Sequence, residues 1–166
     1  MREFRSVSAS QIYDHEACDR LWWFASVLGL EKPSRASSDL GTEVHAVAQA
    51  YLEEGVPPPN TKAGNIFRVG ITLLPEPGTV FTEVVLKDPD RAWPRPEISG
   101  IPVNGIVDVL RLGDVEAGQN PLVLDHKSSS DLKWVKSKAE LLEDPQMIIY
   151  GRFALDAVAQ MGAPSD

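Results

Sequence analysis

Residues 121–128, PLVLDHKS, run from an apolar stretch straight into three chemically loaded side chains. Leu122, Val123 and Leu124 make a short continuous apolar run of the kind that fills a sheet interior. Side chains at i and i+2 of a strand share a face, so Asp125 and Lys127 project side by side. Such a pair is either a surface ion pair at a strand end or a metal-ligating acid beside a catalytic lysine. The neighbouring segments decide what kind of sheet this strand joins.

Upstream, residues 103–112, VNGIVDVLRL, have the pattern of a strand in which Gly105 permits close backbone approach. Turns near Ser99-Gly100 and Asn104-Gly105 divide 97–112 into two strand-like pieces. Residues 79–87, TVFTEVVLK, form a further strand, and the proline-rich DPDRAWPRPE after it is a loop. Gly113 to Asn120 is a turn.

Helical patterns bracket these strands. Ser8 and Gln11 match a capping box that opens a helix over 8–30, with an apolar face of Ile12, Leu21, Trp22, Phe24 and Leu28 and a stop at Gly29. Trp22 and Trp23 are expected in the core, one of them partly exposed, and Cys18 is expected as a small buried residue. EKPSRASSD is a linker. Leu40, Val44, Val47, Ala48, Tyr51 and Leu52 give a second helix over 39–54, ended by Gly55 and the proline run 57–59. A shorter helix follows at 61–74. Residues 136–161 are helical again, broken at Pro145, with Gly162 and Pro164 ending the pattern. Helices, then strands, then helix predict an α/β fold of α+β-like sandwich form, with a small central mixed β-sheet flanked by helices. The length of 166 residues favours one domain over 1–166.

Composition narrows the class. Apolar residues make up 43% and charged residues 24%, the profile of a soluble globular protein. No apolar run is long enough for a membrane span, and the start MREFRSVSAS lacks a signal peptide's apolar centre, so a cytoplasmic protein is expected. A single cysteine excludes an internal disulfide or a cysteine-only metal or iron–sulfur site. The net charge of −8 argues against a nucleic-acid binder held by global electrostatics, yet basic residues cluster locally. Lys127, Lys133, Lys136 and Lys138 lie close together with Trp134 among them, a stretch that either contacts phosphates and stacks a base or forms a solvated face.

Three strands carry acids: Glu83 mid-strand in TVFTEVVLK, Asp108 in GIVDVLRL and Asp125 at the end of PLVLD. A carboxylate inside an apolar strand is costly unless it is paired or coordinates metal. Carboxylate oxygens suit Mg²⁺ or Mn²⁺, and an imidazole adds affinity for a transition metal.

The order of these motifs resembles the PD-(D/E)XK nuclease superfamily, in particular its RecB-type exonuclease branch, which includes the iron–sulfur exonucleases of CRISPR adaptation and many phage nucleases. SASQIYDHEACDRLWWF is similar to the branch's N-terminal helix, with Asp19 where Pro is common, and GTEVHAVAQAYL to its histidine helix. GIVDVLRL resembles the Gly-x-x-Asp strand, LVLDHKSSS the Asp-x-Lys strand, and QMIIYGRFA the Gln-x-x-x-Tyr helix.

The resemblance implies a restriction-endonuclease-like core and metal-dependent hydrolysis of phosphodiester bonds. It implies that Asp108 and Asp125 hold one or two Mg²⁺ or Mn²⁺ ions with His45 and the backbone carbonyl of His126, Glu83 being a supporting ligand. Lys127 would orient the attacking water and stabilise negative charge, while Gln146 and Tyr150, one helical turn apart, would face the site. Lys133, Trp134, Lys136, Lys138 and Arg152 would contact nucleic acid, and no iron–sulfur cluster is expected. The implied substrate is DNA, as ends or single strands, in recombination, repair or phage DNA processing, without a membrane role. Relatives return with a further strand after the Gln-x-x-x-Tyr helix, so the chain ending at Asp166 reads as truncated, as lacking that strand, or as completed by a partner, and a recombination or repair partner is expected as an alternative to self-association. An open sheet edge would favour a homo-oligomer. The alternatives are a non-catalytic DNA-binding or assembly module that keeps the fold, and a structure-specific endonuclease.

Overall fold

The computed structural model describes residues 6–30, 37–86, 93–113, 118–127 and 135–161. Lys133 and Trp134, both expected at nucleic acid, lie outside these residues, as do most of the linker after Leu30 and parts of the proline-rich loop and of the turn after Gly113. The elements run α1 (Ala9–Ala17), α2 (Asp19–Trp22), a π-helical turn (Trp23–Val27), α3 (Ser37–Glu54), α4 (Lys62–Gly70), a 3₁₀ turn (Ile71–Leu73), β1 (Phe81–Val85), β2 (Glu97–Ile98), β3 (Ile101–Pro102), β4 (Ile106–Arg111), β5 (Leu122–Leu124), α5 (Lys138–Leu142) and α6 (Pro145–Met161). This is a mixed α and β architecture with a small sheet flanked by helices, consistent with a restriction-endonuclease-like fold. The chain divides into two compact units, one of residues 1–33, 85–106 and 136–166, the other of 34–84 and 107–135. No described helix is long and apolar enough to cross a membrane.

The three-stranded sheet has the order β1-β4-β5. β4 pairs antiparallel with β5, Val109 opposite Leu124 and Arg111 opposite Leu122. The Leu86 N–H donates to the Gly105 carbonyl at 3.0 Å, so the end of β1 meets the start of β4 and these strands also run antiparallel. A mixed sheet was expected. The links between these strands return the chain alongside itself, whereas a parallel pair needs a long crossover connection. As the central strand, β4 is covered on both faces: Val107, Asp108, Val109 and Leu110 are all buried.

In the 34–84 and 107–135 unit, α3 buries Val44, Ala48 and Leu52, four residues apart and so on one stripe. The next residue round the helix from Val44 is His45, which therefore stands at the edge of the buried stripe. Thr61 caps α4 by accepting from the Gly64 N–H at 3.2 Å. Gly64 has no room for a side chain, since an added Cβ would lie 2.0 Å from the Pro59 carbonyl oxygen. Tyr51 of α3 meets Phe67 of α4 edge-on at 5.6 Å.

In the other unit, Ser8 and Gln11 form the expected capping box at α1. The single helix expected over 8–30 is broken at Cys18, whose backbone is extended, and Cys18 is exposed rather than buried. No glycine or proline marks this break. Leu21, Trp23, Phe24 and Leu28 are exposed too, so the apolar face read from periodicity is not core here. At the far end, Asp144 caps α6: its Oδ1 accepts from the Gln146 N–H at 2.9 Å and the Met147 N–H at 3.1 Å, with Pro145 at the first helical position. The Tyr13 hydroxyl donates to the same Oδ1 at 2.6 Å, which fastens α1 to α6. Lys136 donates to Asp144 Oδ2 and lies over the Tyr13 ring, 4.9 Å from its centroid.

Candidate metal centre

Four chain segments converge on one group of donors. α3 supplies His45, β1 supplies Glu83 and β4 supplies Asp108, and one ligand atom of each lies within 4.8 Å of the others. Asp108 is buried and the other two are half-buried. The end of β5 closes the group: the His126 N–H donates to Asp108 Oδ2 at 2.6 Å. The His126 carbonyl lies 2.8 Å from His45 Nε2. A carbonyl can only accept, so Nε2 carries the proton and donates. In the neutral ring this leaves Nδ1 as the lone-pair nitrogen, 3.6 Å from Asp108 Oδ2. The two imidazoles of His45 and His126 meet edge-on, 5.8 Å apart.

The backbone at Glu83 is unusual. Its φ is +46°, in the left-handed region that residues with a Cβ rarely adopt. Neighbouring Thr82 donates its hydroxyl to Glu53 of α3, which also accepts from Gln49 at 3.1 Å, so β1 is tied to α3 beside Glu83. Burial raises the pKa of the Glu83 carboxyl, and the Asp108 carboxylate raises it further, against a smaller opposing effect of His45. Burial lowers the pKa of the His126 imidazole, which favours its neutral form. Its Nε2 is buried with no hydrogen-bond partner among the described residues.

Two carboxylates and one imidazole are a donor set for a divalent cation, and like charge held at close range is the situation a cation relieves. The residues present therefore fit a Mg²⁺- or Mn²⁺-type ion. A cleft of about 490 Å³ opens beside the group, lined by Gly41, Thr42, His45, Ala46, Gln49 and Glu83.

The other residues singled out by sequence fall as follows. Asp125 lies one residue past β5, and the β4/β5 register, continued one step, sets it opposite Asp108. Its buried carboxylate is engaged by the Lys127 ammonium, whose side chain is 68% exposed, and Asp125 does not join the three-residue donor group. The His126 carbonyl, expected to face metal, accepts from His45 Nε2. Gln146 and Tyr150 belong to the other unit, where Tyr150 is buried, and a Cβ added at Gly105 would sit 2.9 Å from the Tyr150 ring. Lys136 is occupied by Asp144 and Tyr13. Lys138 is exposed on α5, and Arg152 pairs with Asp156 along α6, at 2.9 Å. Sequence reasoning missed the Tyr13–Asp144–Lys136 group. The Asp-Pro pair that opens α6 was its one local signal.

The profile of the PD-(D/E)XK nuclease superfamily matches residues 6–69. The matched segment is less than half of the chain; it contains His45 and ends before the strands that carry Glu83, Asp108, Asp125 and Lys127. No curated protein and no solved structure matches the chain.

Proposed function

We propose that the chain is a metal-dependent nuclease that hydrolyses phosphodiester bonds in DNA. The observation that carries this is the convergence of His45, Glu83 and Asp108 beside the Asp125–Lys127 pair, in a protein whose N-terminal segment is similar to that superfamily. His45, Glu83 and Asp108 would hold the cation. When bound, Mg²⁺ or Mn²⁺ lowers the pKa of water and offsets charge on the phosphate.

The protein's own residues supply the rest. Asp108 is fixed by the His126 N–H, and His45 by the His126 carbonyl, so both donors are oriented before substrate arrives. Lys127, held by Asp125 with its ammonium open to solvent, is the residue that meets the negative phosphate oxygens and orients the attacking water. The water oxygen bonds to phosphorus as it gives up a proton, one phosphorus–oxygen ester bond breaks, and the departing oxygen takes up a proton. The chain acts as one nuclease domain in the cytoplasm. The order of the motifs favours a RecB-type exonuclease acting on DNA ends or single strands, in recombination, repair or phage DNA processing.

The test is cleavage of end-labelled single-stranded, double-stranded and closed circular DNA with Mg²⁺, Mn²⁺ or EDTA. Cleavage should require metal and spare the circle. Lys127→Ala should lose roughly a hundredfold or more of the rate, as removal of a preorganised charge donor does, and should still bind metal. Intact DNA under all metal conditions would refute catalysis and leave a binding module. A Lys127→Ala protein that cuts at the parent rate would remove Lys127 from the mechanism.

A further inference from the structure

Beside the donor group lies a second pocket with different chemistry. It has a volume of about 180 Å³ and is lined by Val44 of α3, Phe67 and Gly70 of α4, Leu74, His126 and Lys127. The walls from α3 and α4 are apolar, and Val44 and Phe67 are otherwise buried. The opposite wall is the strand end that carries the polar groups of the candidate centre. His126 contacts both Asp108 and His45, and Lys127 is the exposed cation beside them. The pocket and the phosphate-directed groups therefore share two consecutive residues.

We propose that this pocket receives one unpaired nucleobase of the strand whose phosphate lies at the His45–Glu83–Asp108 group. The proposal rests on the nuclease assignment and adds to it a requirement for an unstacked base. Three features support this occupant. An apolar cavity of about 150 Å³ accommodates a benzene-sized ring, so 180 Å³ has room for a single flat heterocycle. The Phe67 ring and aliphatic neighbours suit the face of a base, and this kind of contact tolerates any sequence. The Lys127 ammonium at the wall complements the phosphate that must accompany each base, which a purely apolar partner would leave unused. A base inside a duplex cannot enter without leaving its stack, so the pocket selects single strands, frayed ends or flipped nucleotides.

The experiment is a binding measurement on the intact chain. Fluorescein-labelled oligothymidylate is titrated by anisotropy in EDTA and in Ca²⁺, alongside a series with one abasic residue walked along the strand. Loss of the base at one position should weaken binding roughly tenfold, the scale of a single base contact. Gly70→Leu adds a bulky side chain at a residue that lines the pocket: an added Cβ at Gly70 meets nothing within 4 Å, and its φ of −101° suits any residue. This variant should bind the intact strand about as weakly as the parent binds the sensitive abasic strand, with no further loss on the abasic one. Annealing to a complement should abolish the positional effect in the parent. A parent protein indifferent to every abasic position would overturn the proposal, as would a Gly70→Leu protein with full sensitivity, an effect that persists in the duplex, or self-association lost in Gly70→Leu without any abasic effect. Cleavage is scored separately with Mn²⁺. Sensitivity without cleavage would retain the pocket and refute the nuclease; cleavage without sensitivity would do the reverse.

Discussion

Replacing Glu83 by Asn should make the metal-free protein more stable and the metal-loaded protein less so. Glu83 sits at φ +46°, a conformation that costs a residue with a Cβ roughly 1–2 kcal/mol, and Asn tolerates it better than Glu. The substitution also removes a half-buried carboxyl whose pKa is raised by burial and by the Asp108 carboxylate. A recovery of about 1 kcal/mol corresponds to a Tm higher by about 2–4 °C for a chain of this size. The assay is thermal unfolding in EDTA at neutral pH. The sign of the pH dependence follows from the raised folded-state pKa. When Glu83 is protonated in both folded and unfolded states there is no electrostatic penalty. As pH rises through the raised value the folded protein must ionise it, and stability is lost. The advantage of Glu83→Asn should therefore be full above the raised value and shrink as pH falls through it toward the ordinary carboxylate pKa. With Mn²⁺ at a hundredfold excess over the parent's Kd, linkage stabilises the parent by about 2.7 kcal/mol, and the variant, lacking a donor, gains far less. The ranking of the two proteins should reverse. A variant that melts lower in EDTA and gains as much from Mn²⁺ as the parent would refute both the strain and the ligand assignment.

Other expectations can be checked in the same format. Asp108→Asn keeps an acceptor for the half-buried His126 N–H and should fold normally, whereas Asp108→Ala leaves that donor unpaired and should cost about 1 kcal/mol by denaturant melt; both should lose Mn²⁺ binding in calorimetry. Asp144→Ala removes the α6 cap and the partner of Tyr13 and Lys136, and should cost at least the roughly 1 kcal/mol of an N-cap. Burial pushes the Asp144 pKa up, but the hydrogen bonds from Lys136 and Tyr13 outweigh it and hold the carboxyl below its usual value. Its contribution should be present above the ordinary carboxylate pKa and fade as pH falls through the lowered one, a slope that urea melts of the parent should show and those of Asp144→Ala should lack. Gly105→Ala should cost about 1–3 kcal/mol, because the new methyl group would press on the Tyr150 ring and on Leu86 at 3.0 Å; an unchanged Tm would contradict that packing.

Much of this architecture could be read from residue patterns because the physics behind it is local. Period-two runs located β1 and β4, and the capping pair Ser8 and Gln11 located the start of α1. The acids Glu83 and Asp108 stood out because charge in an apolar strand needs a reason, and the structure brings both to one group with His45. Asp125 and Lys127 were expected side by side, as an ion pair or as a metal-ligating acid beside a catalytic lysine, and the Lys127 ammonium does meet the Asp125 carboxylate. What the chain hid depended on pairing between distant segments. Lys136 looked like one more cation in a basic stretch until Tyr13, far off in sequence, and Asp144, eight residues on, folded against it. Periodicity marked Leu21, Phe24 and Leu28 as one apolar face, but it carries no information on whether anything covers that face.

The span between His45 and His126 has a consequence for the life of the chain before it is folded. Their contact joins residues 81 apart, and the Asp108–His126 contact joins β4 to the segment just past β5. No single helix or hairpin contains the donor group, so a nascent or partly unfolded chain has none of it. Loop closure over such separations is slow and comes only with the rest of the core. On the reading proposed above, the donor group forms in the step that brings α3, β1, β4 and the end of β5 together. Metal affinity measured along a denaturant titration would then track global folding and not precede it.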